Sequence, residues 1–331
     1  MGIIIVKKLK MKGKVMKVIK IKKILAVSLL CLTIIACTNE NEVVNIIEDN
    51  YNKLDNVEKW IVEENSKVKE IEKAINEVAG KYKDNIAVYY YNFDCDEKYC
   101  FNEDKYYITA SLRKIPQMME VADKLQAGNF TLDTKIKYKS EDYHDGTGIL
   151  QFEDEIGKRT VRELMELSIK ESDNIAFYML SRFCGNDLIP YIRKLINDNE
   201  IPDGEYKLLT ATQHYKILSK LYENPNNNPY YPMIIEYMKD TAFNDSMNKY
   251  LPKGTVAHKI GSYFRYYHDM GFVFGKENYM LVILTKDIGE LSNDPKYSKE
   301  QEERHIIDWG KEANEVIAQI SKRIYNIVEE N

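Results

Sequence analysis

Tyr106-Tyr107-Ile108-Thr109-Ala110-Ser111-Leu112-Arg113-Lys114 is a short extended run that ends at a serine and turns into a helix. The helix is predicted by Ile115, Met118, Met119, Val121, Ala122 and Leu125, which recur at helical spacing until Gly128 closes the pattern. Ser111 therefore sits where a helix begins, and Lys114, three residues on, shares its face. A serine hydroxyl is a poor nucleophile until a base lies beside it and its oxyanion product is stabilised. Ser66 with Lys69 and Ser246 with Lys249 repeat the spacing, but the first lies in a charged helix and the second has no strand before it.

Two further stretches bear on the same chemistry. Ser172-Asp173-Asn174 interrupts an apolar pattern that runs from Val161, Leu164, Met165, Leu167 and Ile169 to Ile175, Ala176, Met179 and Leu180. Alone, it reads first as a helix cap in which Asp and Asn satisfy free amides. Lys259-Ile260-Gly261-Ser262 lies on a strand candidate and is the one Lys-x-Gly of the chain, a cation beside a narrow glycine edge suited to an anion or oxyanion.

Outward from these motifs, Ile86 to Tyr91, a turn over Asp94 to Lys98, and Tyr99 to Phe101 read as a β-hairpin. Val161 to about Tyr250 carries mostly helical pattern, broken at Gly185, Pro190, Ile201-Pro202-Asp203-Gly204 and the Asn224 to Pro229 loop. Strands are expected at Thr255 to Tyr263, Gly271 to Gly275 and Tyr279 to Thr285. A long C-terminal helix follows, with Ile306, Trp309, Val316, Ile317, Ile320, Ile324 and Ile327 on its apolar stripe. This order lacks βαβ periodicity, so the expected fold class is α+β, with an antiparallel sheet flanked by N- and C-terminal helices and an all-helical lobe.

The N-terminal region reads differently. Lys17, Lys20, Lys22 and Lys23 precede an apolar stretch from Ile24 to Ala36, too short for a stable membrane span, as in a signal peptide. Thr33-Ile34-Ile35-Ala36-Cys37 resembles a bacterial lipobox, which implies lipidation at Cys37, secretion across the cytoplasmic membrane and anchoring on its outer face. The expected organisation is a signal peptide over 1–36, a tether over 37–66, and the domain over 67–331, whose first helix (about Lys67 to Ala79) is stopped by Gly80. A coiled-coil dimer is the alternative for the tether, although its pattern breaks at Glu63 to Ser66.

The net charge of −5 comes from 47 basic and 52 acidic residues, and the basic ones concentrate in the first 23 positions, so nothing in the body suggests nucleic acid. No C-x-x-C, H-E-x-x-H or paired-histidine spacing occurs, and neither a metal nor a cofactor is expected. Cys95, Cys100 and Cys184 cannot make a disulfide framework; Cys95 and Cys100 flank a polar stretch and are open to either a bridge or two free thiols.

Together the three motifs occur as Ser-x-x-Lys, then Ser-Asp-Asn 61 residues on, then Lys-x-Gly 87 further. From about Lys67 onward the chain resembles the β-lactamase and penicillin-binding-protein superfamily, most closely its class A β-lactamase-related branch. Asp145-Gly146-Thr147-Gly148-Ile149-Leu150, Val161-Arg162-Glu163-Leu164, Val256-Ala257-His258-Lys259 and Tyr267-His268-Asp269-Met270-Gly271 add to the likeness. The resemblance implies that Ser111 attacks the substrate carbonyl while Lys114 takes its proton or orders the site. It implies that Ser172 passes a proton to the leaving nitrogen, Asn174 binds the substrate amide and Lys114, and Lys259 attracts a carboxylate. Backbone amides of Ser111 and Ser262 would form the oxyanion hole beside Gly261. The implied partner is a small-molecule or peptide substrate, a β-lactam or a cell-wall peptide.

Two departures bear on what is hydrolysed. Ile260 stands where the family usually has Thr or Ser, leaving Ser262 or Arg265 as substitutes for the missing hydroxyl. The loop before Thr210-Ala211-Thr212 is short, and Gly204 stands four after Glu200, so Glu200 and Glu205 are poor matches to the family's water-activating glutamate. Three readings follow: a β-lactamase or related amide hydrolase, a D-Ala-D-Ala-type peptidase that acylates but deacylates slowly, and a non-catalytic binding lipoprotein.

Overall fold

The computed structural model describes residues 67–330 except 186–187, 205–206 and 290–298, and of 299–309 and 330 the backbone alone. The expected leader, Cys37 and the tether lie outside the described residues, as does Glu205.

Helix α1 (67–79) leads into strand β1 (Ile86–Asn92), which pairs antiparallel with β2 (Lys98–Phe101) as the expected hairpin. After β3 (Tyr107–Ile108) and a 3-10 turn (Ala110–Arg113) comes α2 (Lys114–Gln126). The lobe continues through β4 (Lys135–Lys137), β5 (Lys158–Thr160), α3 (Val161–Lys170), α4 (Asn174–Cys184), α5 (Leu188–Ile196), β6 (Leu208–Leu209), α6 (Ala211–Glu223) and α7 (Tyr231–Lys239). The chain returns as β7 (Val256–Tyr263), β8 (Tyr266–Val273) and β9 (Tyr279–Lys286), then ends in α8 (Lys299–Glu330). The main sheet has the order β2-β1-β9-β8-β7 with every neighbouring pair antiparallel, an α+β fold.

Alternation along each strand splits its side chains between two cores. Ala87, Tyr89, Met280, Val282 and Leu284 face the helical lobe. Ile86, Val88, Tyr90, Leu281 and Ile283 face the terminal helices, packing with Ile71 and Ile75 of α1 and Ile317, Ile320 and Ile324 of α8. Because both faces are covered, β9 is apolar almost throughout instead of alternating. Helix α2 is buried on nearly every side and forms the axis of the lobe, so its first turn, carrying Lys114, is held between lobe and sheet.

One strand differs from expectation. β8 begins at Tyr266, five residues before Gly271, because a two-residue turn of Phe264 and Arg265 joins it to β7 with Tyr263 opposite Tyr266. Phe264 takes φ 50°, a conformation that normally calls for Gly or Asn, so no turn signal is written there. His268 and Asp269 also break the apolar pattern, although both are buried and bonded. Cys95, Cys100 and Cys184 are free thiols, which decides between the two expectations for Cys95 and Cys100.

Candidate active site

The approach to Ser111 is fixed by three backbone contacts. The Thr285 amide donates to His268 Nδ1 (3.1 Å), which leaves the proton on Nε2 to donate to the Ile108 carbonyl (2.8 Å). Thr109 N–H donates to the Lys207 carbonyl (2.8 Å), and Ala110 then takes φ 47°, a left-handed conformation costing an alanine about 1 kcal/mol. The chain thus turns abruptly into Ser111, which lies half-buried on the 3-10 turn ahead of α2.

Lys114, from the first turn of α2, is buried, and its Nζ donates to the Ser172 carbonyl (2.5 Å), Asn174 Oδ1 (2.9 Å) and Ser172 Oγ (3.2 Å). Lys259, on β7, is also buried and donates to Ser172 Oγ (2.9 Å) and the Ile260 carbonyl (3.0 Å). Neither ammonium is ion-paired among the described residues. Burial therefore disfavours the charged forms. It holds Lys114 well below the usual lysine range, helped by the Lys259 and Arg113 charges, and pulls Lys259 down to about 7. A depressed Lys114 is the kind of group that accepts a hydroxyl proton at neutral pH.

The Ser172-Asp173-Asn174 stretch caps a helix with its middle residue and meets the two lysines with the outer ones. Asp173 is the N-cap of α4, accepting from Ala176 N–H (2.9 Å), while its other oxygen accepts from Leu150 N–H (2.9 Å). Ser172, at φ 51°, and Asn174 are turned to the two lysines instead. The 145–150 loop closes over them: Asn174 Nδ2 donates to the Asp145 carbonyl (2.6 Å), and Thr147 Oγ1 to the Ser172 carbonyl (2.7 Å). Gly148, at φ 108°, lies so close that a β-carbon there would come within 2.2 Å of the Asp173 carboxylate.

On the opposite side, Gly261 of β7 passes against the backbone of the Ser111 turn; a β-carbon there would stand 3.1 Å from the Thr109 carbonyl and 3.2 Å from Leu112 N. Ser262 follows on the exposed end of that strand. Lys114, Ser172, Asn174 and Lys259 are thus joined by direct hydrogen bonds, with Ser111 and Gly261 brought alongside through the backbone.

Residues 70–328 match the model of the beta-lactamase enzyme family. The chain belongs to that family. It is a serine hydrolase of the β-lactamase-like superfamily. Beta-lactamase VEB-1 of Pseudomonas aeruginosa is 25% identical over 225 residues, 61% of this chain and 75% of that one. A mutant of PBP-A, solved as its acyl-enzyme complex with penicillin G, superposes with a TM-score of 0.65 at 20% identity, covering 80% of this chain and 97% of that one. A class A β-lactamase representative from Bacteroides cellulosilyticus gives 0.65 at 22% identity, covering 80% and 99%. Both solved structures share the fold of this family member.

Residues at the margins of the site behave less uniformly. Arg265 is ion-paired with Asp287 (3.2 Å), and Ile260 brings a carbonyl to Lys259 but no hydroxyl. Glu200 is exposed on its loop, and the neighbouring Asp198 is tied up by Gln213, Lys216 and the Glu200 amide. His268, which no sequence motif marks as a site residue, spans two sheet strands and the segment before Ser111; its place in the Tyr267 to Gly271 stretch is the one local signal of that role.

Proposed function

We propose that this family member forms an acyl-enzyme at Ser111 with a β-lactam or a related amide. Lys114, whose charged form is disfavoured by burial, takes the Ser111 proton as Oγ bonds to the substrate carbonyl carbon. The amide C–N bond then breaks as Ser172 hands its proton to the leaving nitrogen and takes up the one that Lys114 received. Lys259 draws in a substrate carboxylate, Asn174 receives the amide side chain, and the Ser111 and Ser262 amides hold the oxyanion, a contribution of several kcal/mol. The observation that carries this reading is Ser172 Oγ held between two buried lysines that no described carboxylate pairs, an arrangement that costs stability and suits proton relay.

A second reading, slow release of the acyl group as in a D-Ala-D-Ala-type peptidase, is favoured by the loop before α6. There Glu200 faces solvent and Asp198 is engaged elsewhere, so no described loop carboxylate is ready to activate water. Chromatography of a penicillin over hours with a small amount of protein separates the two. Many drug molecules lost per protein would establish a β-lactamase, and loss that stops near one equivalent would establish the slow acyl-enzyme.

The proposal includes export and a lipid at Cys37, supported by the lysine-rich start, the apolar stretch and the Ile34-Ile35-Ala36-Cys37 sequence. Incorporation of labelled fatty acid by bacterial cells, abolished in Cys37→Ser, is the expected result; equal labelling of both would remove this part.

A further inference from the structure

We infer that Arg113, Tyr178 and His144 form a second anion-binding subsite beside Ser111, which takes an acyl side chain bearing its own carboxylate. The inference deepens the acyl-transfer reading above and rests on it for the identity of the substrate.

Arg113 follows Ser111 by two residues and is half-buried. Its guanidinium lies over the rings of Phe177 (4.7 Å) and Tyr178 (5.7 Å) and donates to the Tyr178 hydroxyl (3.1 Å). That is one of five N–H donors, and no carboxylate pairs with the group among the described residues. Tyr178 stands one turn after Asn174 on α4, hence on the same face, and its ring stacks on His144 with centroids 3.4 Å apart. His144 in turn precedes Asp145, whose carbonyl takes the Asn174 side chain. Each member of the trio is therefore a neighbour of a group already in the site.

Charge points the same way. Lys114, Lys259 and Arg113 gather on one side, while the buried carboxylates closest to them are committed, Asp173 to two backbone amides and Asp269 to His258. A substrate with one carboxylate would answer Lys259 and leave Arg113 unmatched. A planar guanidinium backed by aromatic rings offers a forked pair of donors to a carboxylate. Exposed Tyr143 and Ile149, on either side of the His144 to Gly148 turn, supply apolar surface for the body of the side chain.

The test uses the full chain and two penicillins of one skeleton: benzylpenicillin, and its analogue with a carboxylate on the side-chain α-carbon. Second-order acylation rates, followed by intact mass, should favour the dicarboxylate by about tenfold. The ratio should fall close to one in Arg113→Gln and to a few-fold in Arg113→Lys, which keeps the charge without the fork and serves if the glutamine variant does not fold. A ratio near one in the unmodified chain, or one that survives in Arg113→Gln, overturns the inference. If neither drug acylates the chain, the acyl-transfer reading fails and thermal protection by the free side-chain acids decides this one separately. Phenylmalonate protecting more than phenylacetate, through Arg113, would sustain the subsite, and equal protection would end it.

Discussion

Lys114 and Lys259 converge on one oxygen, the Ser172 hydroxyl, from 3.2 and 2.9 Å. With an amine on either side, the Ser172 proton has a partner both to leave to and to be replaced from. Ser172→Ala should lower the acylation rate by about 10²- to 10³-fold. The melting temperature should fall by only a few degrees, since alanine tolerates φ 51° nearly as well as serine does. Stopped-flow acylation with calorimetry on the same variant checks both. A loss of rate explained by unfolding would remove the relay role.

Lys259 gives the reaction an alkaline limb. Its native pKa of about 7, depressed by burial, means that its charge disappears as pH rises through 7. Attraction for an anionic substrate is lost with it, so second-order acylation by a penicillin should decline above about pH 7. A rate flat from pH 7 to 9 would contradict this assignment.

His268 and His214 set an acid limit on stability. Burial pulls His268 from 6.5 to about 4 and His214 from 6.5 to about 3. Both stay neutral in the native protein while the unfolded chain takes up protons, so the stabilising effect is complete above pH 6.5 and declines as pH falls. Between pH 6.5 and 4 the cost reaches about 3 kcal/mol for His268 alone. Denaturant melts across that range should show the decline, and His268→Asn should flatten part of it.

Gly148→Ala tests the loop that closes over Ser172. The added methyl would meet the Asp173 side chain and Cα within 2.4 Å, at a φ that alanine resists. A destabilisation of about 2 kcal/mol or more is expected, together with slower acylation as the Asp173 and Asn174 bonds loosen. Calorimetry showing no change would mean that the loop does not lock the site.

How much of this was legible beforehand depended on how local each signal is. Ser111 and Lys114 share one helical turn and Lys259 stands on a periodic strand, so their spacing and order carried the fold. The start of β8 was missed because Phe264 makes its turn without Gly or Asn, and because His268 and Asp269 look like surface residues until their buried partners are known. Asp173 as cap and Ser172 with Asn174 as site could not be separated in sequence, since adjacent residues point to different partners. The Arg113, Tyr178 and His144 stack joins three distant segments, which no local pattern encodes.

Acyl-enzyme formation at Ser111 is read most directly by intact mass over time for the chain mixed with benzylpenicillin, beside Ser111→Ala. The expected result is a gain of one whole penicillin, mapped to the peptide that holds Ser111 and absent from the variant. An adduct of equal yield in Ser111→Ala, or one mapped to another residue, would contradict it.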